Sequence, residues 1–137
     1  MGRIAAIDFG LKRIGLAVSD PGRVIAFPVA TVEGGKKAID NIRAALGAKL
    51  KEVDLILIGL PLLMSGKEGE MALAVKQFAA QVELALKIPV EPIDERLSSK
   101  LADQSLRQIQ LNRKERTENM DVTAATLLLQ SYLDQKK

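Results

Sequence analysis

The sequence predicts an α/β fold: a five-stranded mixed sheet, three antiparallel strands followed by two parallel ones, with helices on both faces. Three observations predict it. Three β-type runs crowd into the first 31 residues with only turn chemistry between them. From residue 36 onward the apolar period changes from two to that of a helix, and helices alternate with strands. The chain has 137 residues, of which 47% are hydrophobic and 27% charged. A chain of that length buries roughly two thirds of its unfolded surface, so a single domain over residues 1–137 is expected.

The elements follow in order. Arg3–Asp8 holds the apolar run Ile4-Ala5-Ala6-Ile7 and ends in a carboxylate, the pattern of a short buried strand. Arg13–Ser19 sets Ile14, Leu16 and Val18 on one face at period two. Asp20-Pro21-Gly22 is turn chemistry, because proline presets φ and glycine tolerates positive φ. Val24–Thr31 is the third strand, and Pro28 marks it as an edge, since proline cannot donate to a central ladder. Gly34-Gly35 then breaks the chain. Ile39, Ile42, Leu46 and Leu50 recur at helical spacing, which predicts a helix over Lys36–Leu50. Asp54–Leu60 is a continuous apolar run, as in a strand covered on both faces, and Pro61–Gly69 is a loop. Met71, Val75, Phe78, Val82 and Leu86 mark a second helix, and Val90–Asp94 a fifth strand. Ser98-Ser99 suit the cap of a helix over Lys100–Gln110. Leu111–Glu118 is polar and basic. Asn119 suits the cap of a last helix with a stripe of Val122, Ala125, Leu129 and Tyr132, flanked by Leu128 and Leu133. Right-handed crossovers place the fourth strand beside the first. The strand ends then frame a crevice at Asp8, Gly59-Leu60-Pro61 and Asp94-Glu95-Arg96.

Composition limits the chemistry this crevice can perform. There is no His, so no Ser-His-Asp triad, imidazole base or imidazole metal ligand. There is no Cys, so no disulfide framework, thiolate nucleophile or zinc ribbon. Catalysis must rest on carboxylates, Lys, Arg, hydroxyls or a hard metal held by oxygen. The four aromatic residues, Phe9, Phe27, Phe78 and Tyr132, are too few for a surface that stacks several bases. The net charge of +3 is modest but unevenly spread, since residues 1–50 carry 8 basic and 4 acidic groups. The sequence shows neither a signal peptide nor an apolar stretch long enough to span a bilayer. Together with the absence of Cys, this leads to the expectation of a cytoplasmic protein with no membrane partner.

Individually, each candidate motif has a plain structural reading. Asp8-Phe9-Gly10 with Lys12-Arg13 reads either as a carboxylate aimed into the crevice beside two phosphate-binding cations, or as an Asp that organises a hairpin turn beside two solvated bases. Asp94-Glu95-Arg96 reads as a crevice acid or as an ordinary ion pair before a helix. Asp121, in the first turn of the last helix, is favoured there by the dipole alone. Gly59–Gly69 contains neither GxxxxGK[ST] nor GxGxxG. Taken together, three chain regions bring an acid to one crevice. Oxygen-only ligation suits Mg²⁺ or Mn²⁺, and two such ions clamp the attacking and leaving oxygens of a phosphodiester.

The segments Asp8-Phe9-Gly10-Leu11-Lys12-Arg13-Ile14-Gly15-Leu16-Ala17-Val18-Ser19-Asp20, Gly59-Leu60-Pro61, Gly66-Lys67-Glu68-Gly69, Asp94-Glu95-Arg96-Leu97 and Ala124-Ala125 with Leu128-Leu129-Gln130-Ser131-Tyr132-Leu133 resemble the YqgF family of bacterial pre-16S rRNA nucleases, also described as Holliday-junction-resolvase-like. The resemblance spans nearly the whole chain in the same order. It implies an RNase H-like fold and a metal-dependent nuclease that matures the 5′ end of the small-subunit ribosomal RNA. It carries the role of catalytic metal ligand onto Asp8, Glu95 and Asp121, and that of substrate contact onto Lys12, Arg13 and Arg96. The expected partners are pre-rRNA and the small-subunit precursor. The chain departs from the family at Leu63, Met64 and Ser65, where the family usually carries Asn and Asp around Met, and at Asn119-Met120, where a basic-apolar stretch is more usual. Three alternatives remain: a resolvase of branched DNA, a non-catalytic rRNA- or ribosome-binding module with structural acids, and, ranked last, a nucleotide phosphotransferase, for whose two lobes the chain is too short.

Overall fold

A computed structural model of the chain describes residues 2–61, 69–94 and 124–136. Its strands are β1 (Arg3–Asp8), β2 (Arg13–Ser19), β3 (Ala26–Glu33), β4 (Val53–Leu60) and β5 (Val90–Asp94). Its helices are α1 (Ala38–Leu46), α2 (Glu70–Leu86) and α3 (Ala124–Gln135). The sheet order is β3-β2-β1-β4-β5. β1–β2 and β2–β3 are antiparallel, while β1–β4 and β4–β5 are parallel. The predicted meander, the crossover that sets the fourth strand against the first, and the edge position of the Pro28 strand are all observed. Beside Pro28 the register skips Val29, as Leu16 faces Ala30 and Ala17 faces Pro28. The expected helix over residues 100–110, the stretch 111–118 and the loop 62–68 lie outside the described residues.

Strand alternation builds two cores. Ala5 and Ile7 of β1 and Ile56 and Ile58 of β4 pack with Ile42 and Leu46 of α1 and Val75, Phe78 and Val82 of α2. Ile4, Ala6, Ala17 and Leu57 pack on the other face with Ala125, Leu129 and Leu133 of α3. Leu129 is fully buried, and each such leucine stabilises the sandwich by about 1.5–3 kcal/mol. Buried polar groups are paired too. The Ile4 N–H donates to Ser19 Oγ at 2.8 Å, and that hydroxyl donates to the Asp20 carbonyl at 2.9 Å.

Three predicted details are corrected. The helix over Lys36–Leu50 is shorter, because Gly47 at φ +55° ends α1 and a 3-10 turn over Gly47–Glu52 follows. The third strand begins at Ala26 rather than Val24, because the Asp20 carboxylate takes the N–H groups of Val24 and Ile25 at 2.8 Å each. The residue with positive φ in that turn is Arg23, at 58°, and not Gly22. The Arg23 side chain donates to the Gly2 carbonyl at 2.8 Å and pairs with Asp54, contacts that hold it in this conformation.

Candidate active site at the C-terminal ends of the central strands

The parallel register aligns the C-terminal ends of β1, β4 and β5. Ile7 is level with Ile58, Gly59 with Ile93, and Leu60 with Asp94. Asp8 therefore ends the central strand beside both neighbours. Its parity is that of Ile4 and Ala6, so its side chain lies on the α3 face. Asp8 is directly opposite Gly15 of β2. On β4, one step beyond the Ile7–Ile58 pair, stands Gly59, which shares the parity of Leu57 and hence the same face. A carboxylate is thus flanked by two glycines, neither of which presents a side chain beside it.

The orientation of α3 completes the frame. Its C-terminal half sits at the far end of β1, where Ile4 shares a cleft with Tyr132, Leu133 and Lys136. Gln130 accepts from the Ala26 N–H at 2.9 Å and donates to the Val24 carbonyl at 3.1 Å, fixing the helix against the start of β3. From there the helix runs back over the sheet, with Leu129 and Ala125 packed on the Ala6, Ala17 and Leu57 face, so its first residue points toward the Asp8 end. On the opposite face Phe9 packs on Phe78 with ring centroids 4.6 Å apart, which anchors the chain immediately after Asp8.

The hairpin after Asp8 depends on one close approach. A Cβ at Gly10 would lie 2.5 Å from the Arg13 carbonyl oxygen, so only glycine closes this turn without displacing it. Lys12 and Arg13 stand exposed beyond it. Arg13 shares the Asp8 face by strand parity, since Ala17 of the same strand packs under α3.

Asp8 has no hydrogen-bonding or ion-pairing partner among the described residues. Desolvation by burial pushes its carboxyl above the ordinary carboxylate range. A half-buried carboxylate has the hard-oxygen chemistry that a divalent cation requires, and a cation there would offset the cost of its charge. Among the described residues no cluster of three His, Cys, Asp or Glu side chains is gathered. Glu95, Arg96 and Asp121 lie outside the described residues, so Asp8, Lys12 and Arg13 are the sequence-predicted site residues that can be located. The structure adds Gly15 and sets Gly59, already placed at the crevice by the sequence, on the same face as Asp8. Their signal in the sequence was a lone glycine inside each of two strands, which marks close approach of backbone or ligand.

Residues 2–135 match the family described as RuvX, Holliday junction resolvase. A relative from Protochlamydia amoebophila, named "Putative pre-16S rRNA nuclease", is 43% identical over 98% of this chain and 94% of its own length. One from Sulfurihydrogenibium sp. with the same name is 39% identical over 98% of this chain and 91% of its own. Among solved structures, Thermus thermophilus RuvC bound to a Holliday junction superposes with a TM-score of 0.62, covering 99% of this chain and 96% of RuvC at 12% identity. At that identity the likeness concerns the fold, which is RNase H-like. No described helix is long and apolar enough to cross a membrane. With a family match over residues 2–135 and relatives near 40% identity over nearly the whole chain, the chain belongs to the RuvX (YqgF) family.

Proposed function

We propose that this protein is a metal-dependent nuclease that cleaves phosphodiester bonds of pre-16S rRNA during maturation of its 5′ end, with residues 1–137 forming one cytoplasmic nuclease domain. The observation that carries the reading is Asp8: a desolvated carboxylate with no partner among the described residues, at the end of the central strand, between two glycines, with basic residues beside it. The relatives' names supply the substrate class.

In this reading Asp8, Glu95 and Asp121 hold Mg²⁺ or Mn²⁺. Two arguments favour the latter two acids. Glu95 directly follows in sequence the last residue of β5, and that strand end is level with the end of β4. Asp121 precedes by three residues a helix whose first residue faces the Asp8 end. A bound divalent cation supplies charge neutralisation and polarises the phosphodiester. The chain's own residues orient and hold: Asp8 would present its carboxylate oxygens to the cation from rigid backbone, and Lys12, Arg13 and Arg96 would bind neighbouring phosphate oxygens.

The test is a Mg²⁺ and Mn²⁺ titration with a fluorescent precursor RNA carrying the 16S 5′ leader, comparing wild type with Asp8→Asn, Glu95→Gln and Asp121→Asn. Metal-dependent cleavage by the wild type alone is expected, and equal cleavage by all four proteins overturns the assignment. The family description favours a second reading, a resolvase of four-way DNA junctions. It predicts a symmetric dimer with two sites for opposed strands, so a protein that sediments as a monomer and leaves junctions intact while cutting RNA excludes it.

A further inference from the structure

We propose that the connection from β3 to α1, carrying Lys36 and Lys37, is a second phosphate-binding element that leads the nucleic-acid backbone from the Asp8 crevice across the sheet end toward the β3 edge. This rests on the nuclease reading above and extends it to residues outside the resemblance. The connection is built against the active-site hairpin. The Gly34 N–H donates to the Lys12 carbonyl at 2.9 Å, and Arg13 is directly opposite Glu33. A Cβ at Gly34 would lie 2.8 Å from the Leu11 carbonyl oxygen and 3.2 Å from that of Gly10. Glycine here lets the two loops touch through their backbones. Lys36 and Lys37 are therefore held beside Lys12 by the main chain. The lateral offset from β1 to β3 is two strand spacings, about 10 Å, within reach of phosphates a few nucleotides from the one at Asp8.

The distribution of paired charge points the same way. At the opposite end of the sheet the two arginines are neutralised, Arg3 pairing with Glu52 at 3.0 Å and Arg23 with Asp54, which leaves Lys49 and Lys51 as the exposed lysines there. At the Asp8 end Lys12, Arg13, Lys36 and Lys37 are all exposed, and none has a side-chain ion pair or hydrogen bond among the described residues. The carboxylates on the same two segments are Asp8, which is half-buried, and Glu33 and Asp40, both exposed. Four cations against three carboxylates leave a net positive charge on this rim. The aromatic residue on this hairpin, Phe9, is packed on Phe78, so the surface suits a backbone read by its charge.

The experiment measures binding of a mixed-sequence fluorescent single-stranded RNA, without divalent metal, over a salt series. It compares wild type, Lys36→Gln/Lys37→Gln, and Lys49→Gln/Lys51→Gln. The second pair removes the same charge from the exposed turn before β4, at the opposite end of the sheet. Each lost phosphate contact lowers the slope of log affinity against log salt by about 0.7 on a single strand. The first variant should therefore lose about 1.4 from the slope, so that over a roughly fourfold rise in salt the wild type loses about sevenfold more affinity than the variant does. The Lys49/Lys51 variant should keep the wild-type slope. In the cleavage assay Lys36→Gln/Lys37→Gln should raise KM and leave kcat unchanged, as loss of uniform binding does. If the wild type binds no RNA, the nuclease reading fails and the inference with it. If the wild type binds and the two double variants shift the slope equally or not at all, the inference alone is overturned.

Discussion

Replacing Gly10 by alanine adds one methyl group and, in this fold, strikes the hairpin that follows Asp8 in the candidate site. The new Cβ would lie 2.5 Å from the Arg13 carbonyl oxygen, while ordinary contact begins at 3.4 Å. The hairpin must open by about 0.9 Å, the difference between those distances. The obstacle is backbone, and Arg13 is held opposite Glu33 in the β2–β3 ladder, so the movement falls on the segment that carries Lys12 and follows Asp8. Overpacking of this kind costs about 1–3 kcal/mol, and a misplacement near 1 Å at a catalytic constellation costs on the order of 100-fold in rate. Gly47→Ala supplies the control. Gly47 has φ +55° and ψ −133°, a region essentially restricted to glycine, so alanine there costs about 1–3 kcal/mol as well. It lies before β4, at the sheet end remote from Asp8. Urea unfolding should show both variants destabilised, and RNA cleavage with metal in excess should be lost in Gly10→Ala alone. Wild-type cleavage by Gly10→Ala, or an equal loss in Gly47→Ala, would refute the claim that hairpin closure positions the site.

Three further outcomes are expected. Asp8→Asn should act with opposite signs on activity and stability. Removing one charged group that acts on the transition state costs about 10²–10³ in kcat. Yet burial raises the Asp8 carboxyl pKa, so the folded state binds that proton more tightly than the unfolded chain, and the charge penalty sets in as pH rises through the folded pKa. Metal-free Asp8→Asn should therefore melt above the wild type at neutral pH, and a lower Tm would show that the carboxylate has partners. Ser19→Ala strands the buried Ile4 N–H and should cost about 1–3 kcal/mol in urea unfolding with little effect on kcat. Asp20 has a lowered pKa, because the N–H groups of Ile25, Val24 and Gly22 donate to it. Its contribution is present above the unfolded value of 3.8 and fades as pH falls through the lower folded value, so Asp20→Asn should flatten the acid limb of a Tm-against-pH profile.

The sequence by itself determined the strand count, the meander, the edge position of Pro28, and Asp8 as the acid that ends the first strand. Period-two runs, proline's missing donor and glycine breaks are local properties of the chain, and β1, β2 and β5 begin and end where those patterns do. Absence of His and Cys likewise excludes imidazole and thiolate chemistry from composition alone. Tertiary structure decided what local pattern leaves undetermined. Val24 and Ile25 have strand propensity, yet the Asp20 carboxylate captures their N–H groups and starts β3 later. Left-handed backbone fell on Arg23, not on the glycine beside it, because Gly2 and Asp54, distant in sequence, accept its guanidinium. Above all, the setting of Asp8 between Gly15 and Gly59, and the contact that brings Gly34 to Lys12, depend on register between strands. Register is fixed by which faces bury against α1, α2 and α3, and that is a property of the packed sheet, not of any single segment.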